Sequence, residues 1–342
     1  MFKHILKKCS EGKTLDRNEA KLVMDEMMAG VGEEAQIAGL LSMMRLRGET
    51  VDEMVGFGES MREHAISLQH EETKLLDTCG TGGDQLSTFN ISTATAILAS
   101  ACGVKVAKHG NRAISSSSGS ADVLEKLNIP VQSSPTEAVS ALTNKGLCFL
   151  FAPLYHSSMK HVASTRKSLG FKTIFNLLGP LVNPAKANRQ MIGVFDRNFA
   201  YKMAETLREL GSKRALFVTG GEGIDECSIS THTNIIELVN GDIESYQITP
   251  EQFGIKRGDL CDIKATSVTE SAEIIENIFK GRAHTTAENI VVLNCASALY
   301  IAGEVESIKE GVQLTKEVIS SGKAFRQFES LQERKELLRH VE

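Results

Sequence analysis

The 342-residue sequence predicts an α/β protein: a small all-helical N-terminal domain over residues 1–70, then a larger α/β domain over 74–342 with a central sheet flanked by helices. Three observations lead there. Residues 1 to about 70 carry apolar positions at helical spacing and no β-rich run. From residue 74 onward short β-rich runs alternate with helical ones. With 42% hydrophobic and 24% charged residues, the chain can bury a large core and is long enough for two domains.

The helical part opens on Met1-Phe2-Lys3-His4-Ile5-Leu6-Lys7-Lys8, an amphipathic start with interspersed lysines. A charged stretch followed by an apolar core, the mark of a targeting signal, is not seen, and no later apolar run reaches membrane-spanning length. Asp16 with Glu19, and Thr50 with Glu53, have capping-box spacing. Each pair precedes apolar residues at helical intervals: Leu22, Val23 and Met27 after the first, Met54, Phe57 and Met61 after the second. In the α/β part, strand-like runs fall at 104–107, 148–151, 215–219 and 235–239.

Charge and cysteine usage bound the partners. A net charge of −5 gives no basic field for nucleic acid or an anionic membrane, so an anionic ligand must be held by local groups and the partner is expected to be small. The seven cysteines are odd in number, widely spread and contain no CxxC pair. That pattern points to a reducing compartment, the cytoplasm by default, and away from a disulfide or zinc framework.

The chemistry concentrates in residues 77–120. Asp77-Thr78-Cys79 closes a short apolar run, and Gly80-Thr81-Gly82-Gly83-Asp84 then lets backbone amides approach an anion without β-carbons in the way. Asn90-Ile91-Ser92-Thr93 opens an Ala-rich helical run over 94–101, so free N–H groups and a positive dipole end point where hydroxyl and amide side chains already stand. After Cys102-Gly103 the strand-like run 104–107 delivers Lys108-His109-Gly110-Asn111-Arg112 into a loop of Ser115, Ser116, Ser117, Ser118, Gly119 and Ser120. The glycine cluster fits neither the dinucleotide fingerprint nor the P-loop pattern and alone reads equally as a tight turn; a serine run alone reads as a solvated loop. Their co-occurrence with a helix start in one window of about 45 residues favours a phosphate site written twice. His109 and His156 stay open between structural and ligand roles, and neither is assigned as a base. Asp225-Glu226, after the run 215–219 and Gly220-Gly221-Glu222-Gly223, reads either as a solvated acidic turn or as hard oxygen ligands of the kind magnesium prefers.

Gly-Thr-Gly-Gly-Asp, Asn-Ile-Ser-Thr and Lys-His-Gly-Asn-Arg in this order resemble the anthranilate phosphoribosyltransferases, which bind phosphoribosyl pyrophosphate (PRPP). The likeness runs on through Phe149 to Pro153, His156, Arg166 to Gly170, Thr173 to Leu181, Asn183-Pro184 and Asp225-Glu226. It implies helices around 166–190 returning to the small domain, an active site in the cleft between the domains, and a homodimer formed through the helical domain. It implies PRPP binding by Gly80, Gly83, Asp84, Thr88, Asn90, Ile91, Ser92, Thr93, Lys108, His109, Gly110, Asn111, Arg112, Ser115, Ser116 and Ser120. Anthranilate falls to Gly80, Asn111, Arg166 and Pro180, with the arginine fork suited to a carboxylate. Mg2+ falls to Ser92, Asp225 and Glu226, although Cys227-Ser228-Ile229-Ser230 is more polar than the family's usual segment there. No single acid or base is assigned, because an aromatic amine is already uncharged at neutral pH. Two relatives compete. A pyrimidine nucleoside phosphorylase would carry Lys-His-Ser-Thr-Gly-Gly at the first loop, and a non-catalytic nucleic-acid binder would show a basic surface and a lost acceptor site; the net charge of −5, Asn111 and Arg166 oppose the latter.

Overall fold

The computed structural model describes residues 1–84, 86–113 and 118–333. The chain begins with four helices, α1 (Phe2–Ser10), α2 (Arg17–Met28), α3 (Glu34–Arg47) and α4 (Val51–Glu63). Both expected capping boxes close: Asp16 with Glu19 starts α2, and Thr50 with Glu53 starts α4. Glu53 also receives the Arg47 guanidinium and the Leu15 amide, which fixes the α3–α4 corner. Val23, Met27, Met54, Phe57 and Met61 are buried as their spacing predicts, each stabilising by about 1.5–3 kcal/mol. Leu22 is not; it projects from the outer face, 47% exposed.

The remaining elements build one sheet. Its strands are β1 (Leu76–Gly80), β2 (Val106–Gly110), β3 (Leu147–Phe151), β4 (Arg189–Gly193), β5 (Arg214–Gly220), β6 (Thr233–Val239) and β7 (Asp242–Ile248), in spatial order β3-β2-β1-β4-β5-β6-β7. The first five are parallel, while β6 and β7 are antiparallel, joined by Asn240-Gly241, both at positive φ as a tight hairpin turn demands. β1, β4 and β7 had no counterpart among the strand-like runs, and β4 begins inside the 166–190 window expected to be helical.

The flanking helices are α5 (Ile91–Ala101), α6 (Ser120–Lys126), α7 (Pro135–Lys145), α8 (Ala152–Tyr155), α9 (Lys160–Leu169), α10 (Ile174–Leu178), α11 (Arg197–Glu209), α12 (Val268–Phe279), α13 (Thr285–Ala302), α14 (Ile308–Ser320) and α15 (Lys323–Leu331). α13 is apolar all round and lies buried between α5, α14 and the sheet. α9 and α10 leave the α/β part and pack on α2, α3 and α4. The core they share, Met24, Phe57, Val162 and Phe175, continues without a break into Ile192, Phe217 and Ile236 on one sheet face. The helical domain is thereby seated against the sheet rather than tethered beside it.

This strand order reverses direction between β1 and β4. Parallel α/β sheets bind ligands beyond the carboxyl ends of the strands at such a switch point. Here that place is Gly80, paired in register with Gly193.

Candidate active site

Gly80 and Gly193 are glycines for one shared reason. A Cβ on Gly193 would lie 1.7 Å from the Asp225 carbonyl oxygen, and one on Gly80 would lie 2.8 Å from the Asp225 Oδ2, so the loop carrying Asp225-Glu226 can lie across the switch point only because both β-carbons are missing. Sequence reasoning singled out Gly80 but missed Gly193, whose only signal was a glycine ending the apolar run Met191-Ile192. Thr81 N–H donates to the Gly193 carbonyl, and Gly82 N–H donates to Asp225 Oδ2 at 3.0 Å. A carboxylate thus occupies an amide of the glycine loop. Gly82 and Gly83 both have positive φ, as the tight loop requires.

The second half of the site is the start of α5. Asn90 is its N-cap: Thr93 N–H donates to Asn90 Oδ1, which leaves the amide nitrogen of Asn90 for other partners. Thr88 lies just upstream, bridged to Lys264. Ile91 turns its side chain into the core and Thr93 is fully buried, its hydroxyl unpartnered, so their contribution to a ligand is through the helix terminus rather than their side chains. Ser92 is the junction. Its hydroxyl accepts from Lys108 Nζ at 3.2 Å, its carbonyl accepts from Thr78, and its amide faces Glu226.

Lys108 corrects the expectation that it belongs to a loop. It lies within β2, 2% exposed, its Nζ held by the Thr78 carbonyl and Ser92 Oγ. Burial lowers its pKa, while Asp77 and Glu226 oppose that shift. Strand alternation sends the next side chain, His109, to the opposite face, where its ring centroid lies 5.1 Å from that of His156. Both rings are buried with an unpartnered Nε2, and desolvation pushes them down, His109 to about 3 and His156 to about 4, so both are neutral at physiological pH. Beside them runs the turn from Gly179 to Val182, which holds Pro180.

The loop after β2 is only partly brought to the site. Gly110 ends β2, and a Cβ there would strike Ser120 Oγ at 2.2 Å. Ser120 Oγ and the Ala121 amide donate to the Asn111 carbonyl. Arg112 is turned to the other side: its guanidinium pairs with Asp122 at 2.8 Å and Glu125 at 2.6 Å, so its charge is already neutralised. Ser115 and Ser116 lie outside the described residues.

Asp225 and Glu226 are half-buried, with Asp225 lying against Gly80 and Gly193 at the switch point. Desolvation raises both pKa values, with Asp84 adding repulsion at Asp225 and Asp225 adding it at Glu226. Carboxylates strained toward protonation by burial and by one another fit a hard cation. Among the described residues no group of three or more His, Cys, Asp or Glu side chains is gathered closely enough to hold a metal by itself. Magnesium asks for less, one or two carboxylates with waters and phosphate oxygens completing its shell. The polar segment after the pair has a local cause: Ser228 and Ser230 hydroxyls donate to Glu222 Oε1 at 2.7 and 2.9 Å and tie the 222–230 loop together.

Arg166, on α9, stacks 5.0 Å over the Phe175 ring. No carboxylate lies within 4.0 Å of it among the described residues, and burial lowers its pKa. It is a desolvated guanidinium without a counter-ion.

A glycine loop, a helix N-terminus and a carboxylate pair meeting at the switch point of a parallel sheet define an α/β protein suited to a phosphorylated ligand escorted by a cation. Residues 72–325 match the a/b domain of a glycosyl transferase family, and residues 3–65 match that family's helical bundle domain. An anthranilate phosphoribosyltransferase of Halalkalibacterium halodurans is 56% identical over 322 residues, 94% of each chain. The crystal structure of anthranilate phosphoribosyltransferase from Thermus thermophilus shares the fold with a TM-score of 0.89 at 40% identity, over 96% of this chain and 98% of that one. The Saccharomyces cerevisiae enzyme, in complex with PRPP and Mg, follows at a TM-score of 0.87 and 26% identity, over 96% of each chain. The chain therefore belongs to this glycosyl transferase family, among the anthranilate phosphoribosyltransferases.

Proposed function

We propose that the chain transfers the 5-phosphoribosyl group of PRPP to anthranilate, giving N-(5-phosphoribosyl)anthranilate and pyrophosphate, in tryptophan biosynthesis. The observation that carries this reading is the glycine loop at the β1–β4 switch point, with an amide already satisfied by a carboxylate. In the reaction the anomeric C–O bond to pyrophosphate breaks, the amine nitrogen forms the new C–N bond, and the nitrogen then loses a proton to water. The transition state has oxocarbenium character, so stabilising the departing charge matters more than a base. The Gly80–Asp84 loop, the start of α5 with Asn90 and Ser92, and Lys108 grip the phosphates. Asp225 and Glu226, with the Ser92 hydroxyl, are the groups to hold Mg2+. When bound, the ion neutralises the leaving pyrophosphate. Arg166 offers its unpaired guanidinium to the anthranilate carboxylate, with Asn111, Gly80 and Pro180 completing that side.

The same reading extends to the molecule's organisation: residues 1–70, with α9 and α10, form one domain, 74–342 the other, and the cleft between them is the site. A homodimer through the helical domain is supported by exposed apolar side chains there, Leu46 at 89% and Val31 at 67%. Cytoplasmic residence is supported by seven free cysteines and, among the described residues, no helix long and apolar enough to cross a membrane. The decisive experiment follows anthranilate fluorescence after adding PRPP and magnesium. Fluorescence is lost only when all three are present; persistence of the full signal, or full turnover after exhaustive chelation, overturns the reading.

A further inference from the structure

Lys172 stands at the glycine loop although no sequence motif singled it out. It belongs to the linker between α9 and α10, on the helical side of the cleft, yet its Nζ donates to the Gly83 carbonyl at 3.0 Å and lies 3.4 Å from the centroid of the Phe195 ring. Asp225 and Asp84 both attract it. A Cβ on Gly83 would come within 2.4 Å of this Nζ, so the ammonium lies close against the loop backbone.

Two contrasts distinguish Lys172 from a structural lysine. Lys108, the other cation here, is immobilised in β2 by a carbonyl and a hydroxyl and is fully enclosed. Lys172 is half-exposed, and among the described residues no carboxylate lies within 4.0 Å of it. One carbonyl and one ring face are partners a phosphate oxygen can replace, and a four-carbon stem lets the ammonium follow it. The helical domain lays a further cation alongside: Arg45 stacks 5.8 Å over Phe199, whose ring is 5.7 Å from that of Phe195. The local charge balance calls for such a group. Asp84, Asp225 and Glu226 repel one another beside the loop, and a leaving pyrophosphate adds several more negative charges.

We propose that Lys172 is a pyrophosphate-binding cation of the active site, contributed across the cleft from the helical side. This rests on the phosphoribosyl-transfer reading and adds to it a residue that touches the leaving group.

The test is calorimetric titration of the full-length protein with inorganic pyrophosphate in the presence of magnesium, for wild type, Lys172→Met and Lys172→Arg. Loss of a charge-assisted contact should weaken pyrophosphate by about tenfold or more in Lys172→Met, whereas Lys172→Arg should stay within about threefold of wild type. The KM for anthranilate should move by less than about threefold in both. Pyrophosphate binding by Lys172→Met within about twofold of wild type overturns the proposal. Should that variant fail to fold, Lys172→Gln keeps a donor for the Gly83 carbonyl without the charge, and wild-type pyrophosphate affinity in it overturns the proposal equally. Consumption of anthranilate by the wild type, measured separately, reports on the transfer reaction itself, so the two readings fail independently.

Discussion

Replacing Arg166 by alanine separates acceptor recognition from everything else the site does. The guanidinium is half-buried, stacked on Phe175 and, among the described residues, without a carboxylate partner within 4.0 Å, so in the unliganded protein it contributes little beyond the stacking, about 0.5–1 kcal/mol. Toward an anthranilate carboxylate it would form a charge-assisted, fork-shaped pair. Such a pair is worth about 1.5–3 kcal/mol, or roughly one to two decades in kcat/KM for anthranilate. Arg166→Lys should recover only part of this, because a point charge cannot reproduce two parallel N–H···O bonds. The assay is anthranilate-dependent turnover at saturating PRPP for wild type, Arg166→Ala and Arg166→Lys, with PRPP affinity measured separately. PRPP binding should be spared, since Arg166 lies on α9 and outside the β1 and β2 loops. Equal anthranilate kinetics in all three proteins would refute the assignment. A parallel loss of PRPP affinity would refute it differently, by showing that Arg166 holds the cleft in shape.

Asp225→Asn keeps an acceptor for the Gly82 amide but removes a charge the fold disfavours; we expect kcat to fall by about 10²-fold. Because the folded pKa of Asp225 is raised to about 7, stability is lost progressively as pH rises from the ordinary carboxylate value and the cost is fully present above about 7, so at pH 8 without metal the Asn variant should melt about 2 °C higher or more by calorimetry. An unchanged kcat would return the carboxylate pair to an ordinary acidic turn. Lys108→Ala should both weaken PRPP and destabilise the protein by about 2–4 kcal/mol in urea titrations, since it opens a hole in β2 and strands the Thr78 carbonyl and Ser92 hydroxyl; unaltered stability would contradict the buried placement. His109 and His156 titrate far below the ordinary 6.5 in the folded protein, so the unfolded chain alone takes up their protons as pH falls below about 6.5, and stability declines from there toward pH 3–4. At pH 5 each costs about 2 kcal/mol relative to pH 8, and His156→Gln should shrink the loss measured between those pH values by that amount; an identical loss in the variant would show that the histidine is not buried neutral.

The helical domain was legible because its signals are local. Asp16 with Glu19 and Thr50 with Glu53 are four-residue patterns, and the helices start where they say. Leu22 shows the limit: apolar character fits the period on either side of the stripe, and only packing decides which residues face in. The glycine loop and the α5 start were legible for the same local reason. What escaped the sequence is what tertiary contact creates. β4 reads Arg189-Gln190-Met191-Ile192-Gly193, too short and mixed to declare itself, yet it forms half of the switch point. Gly193 is required by Asp225, 32 positions later, and Lys172 reaches Gly83 across 89 positions; no window along the chain holds either pair. Arg112 shows a different limit. Its place in Lys-His-Gly-Asn-Arg points to phosphate, whereas Asp122 and Glu125, both on α6, pair with its charge in the unliganded chain.

The Gly82–Asp225 contact ties anion and cation binding into one event. A phosphate oxygen that takes the Gly82 amide must displace the Asp225 carboxylate, and a displaced carboxylate in this desolvated cleft, already repelled by Asp84, needs a cation at once. Lys108 cannot travel to meet it, held as it is by Thr78 and Ser92, and Lys172 is the cation that the proposed pyrophosphate contact draws away. A divalent ion bound with the phosphates would satisfy Asp225 as the amide is surrendered. Coupling of this kind is reciprocal, so each ligand should strengthen the other by the same factor. On the proposed reading the glycine loop would do more than admit a phosphate: by holding a carboxylate in its place until metal and phosphate come together, it would favour the complex that can react over either ligand bound alone.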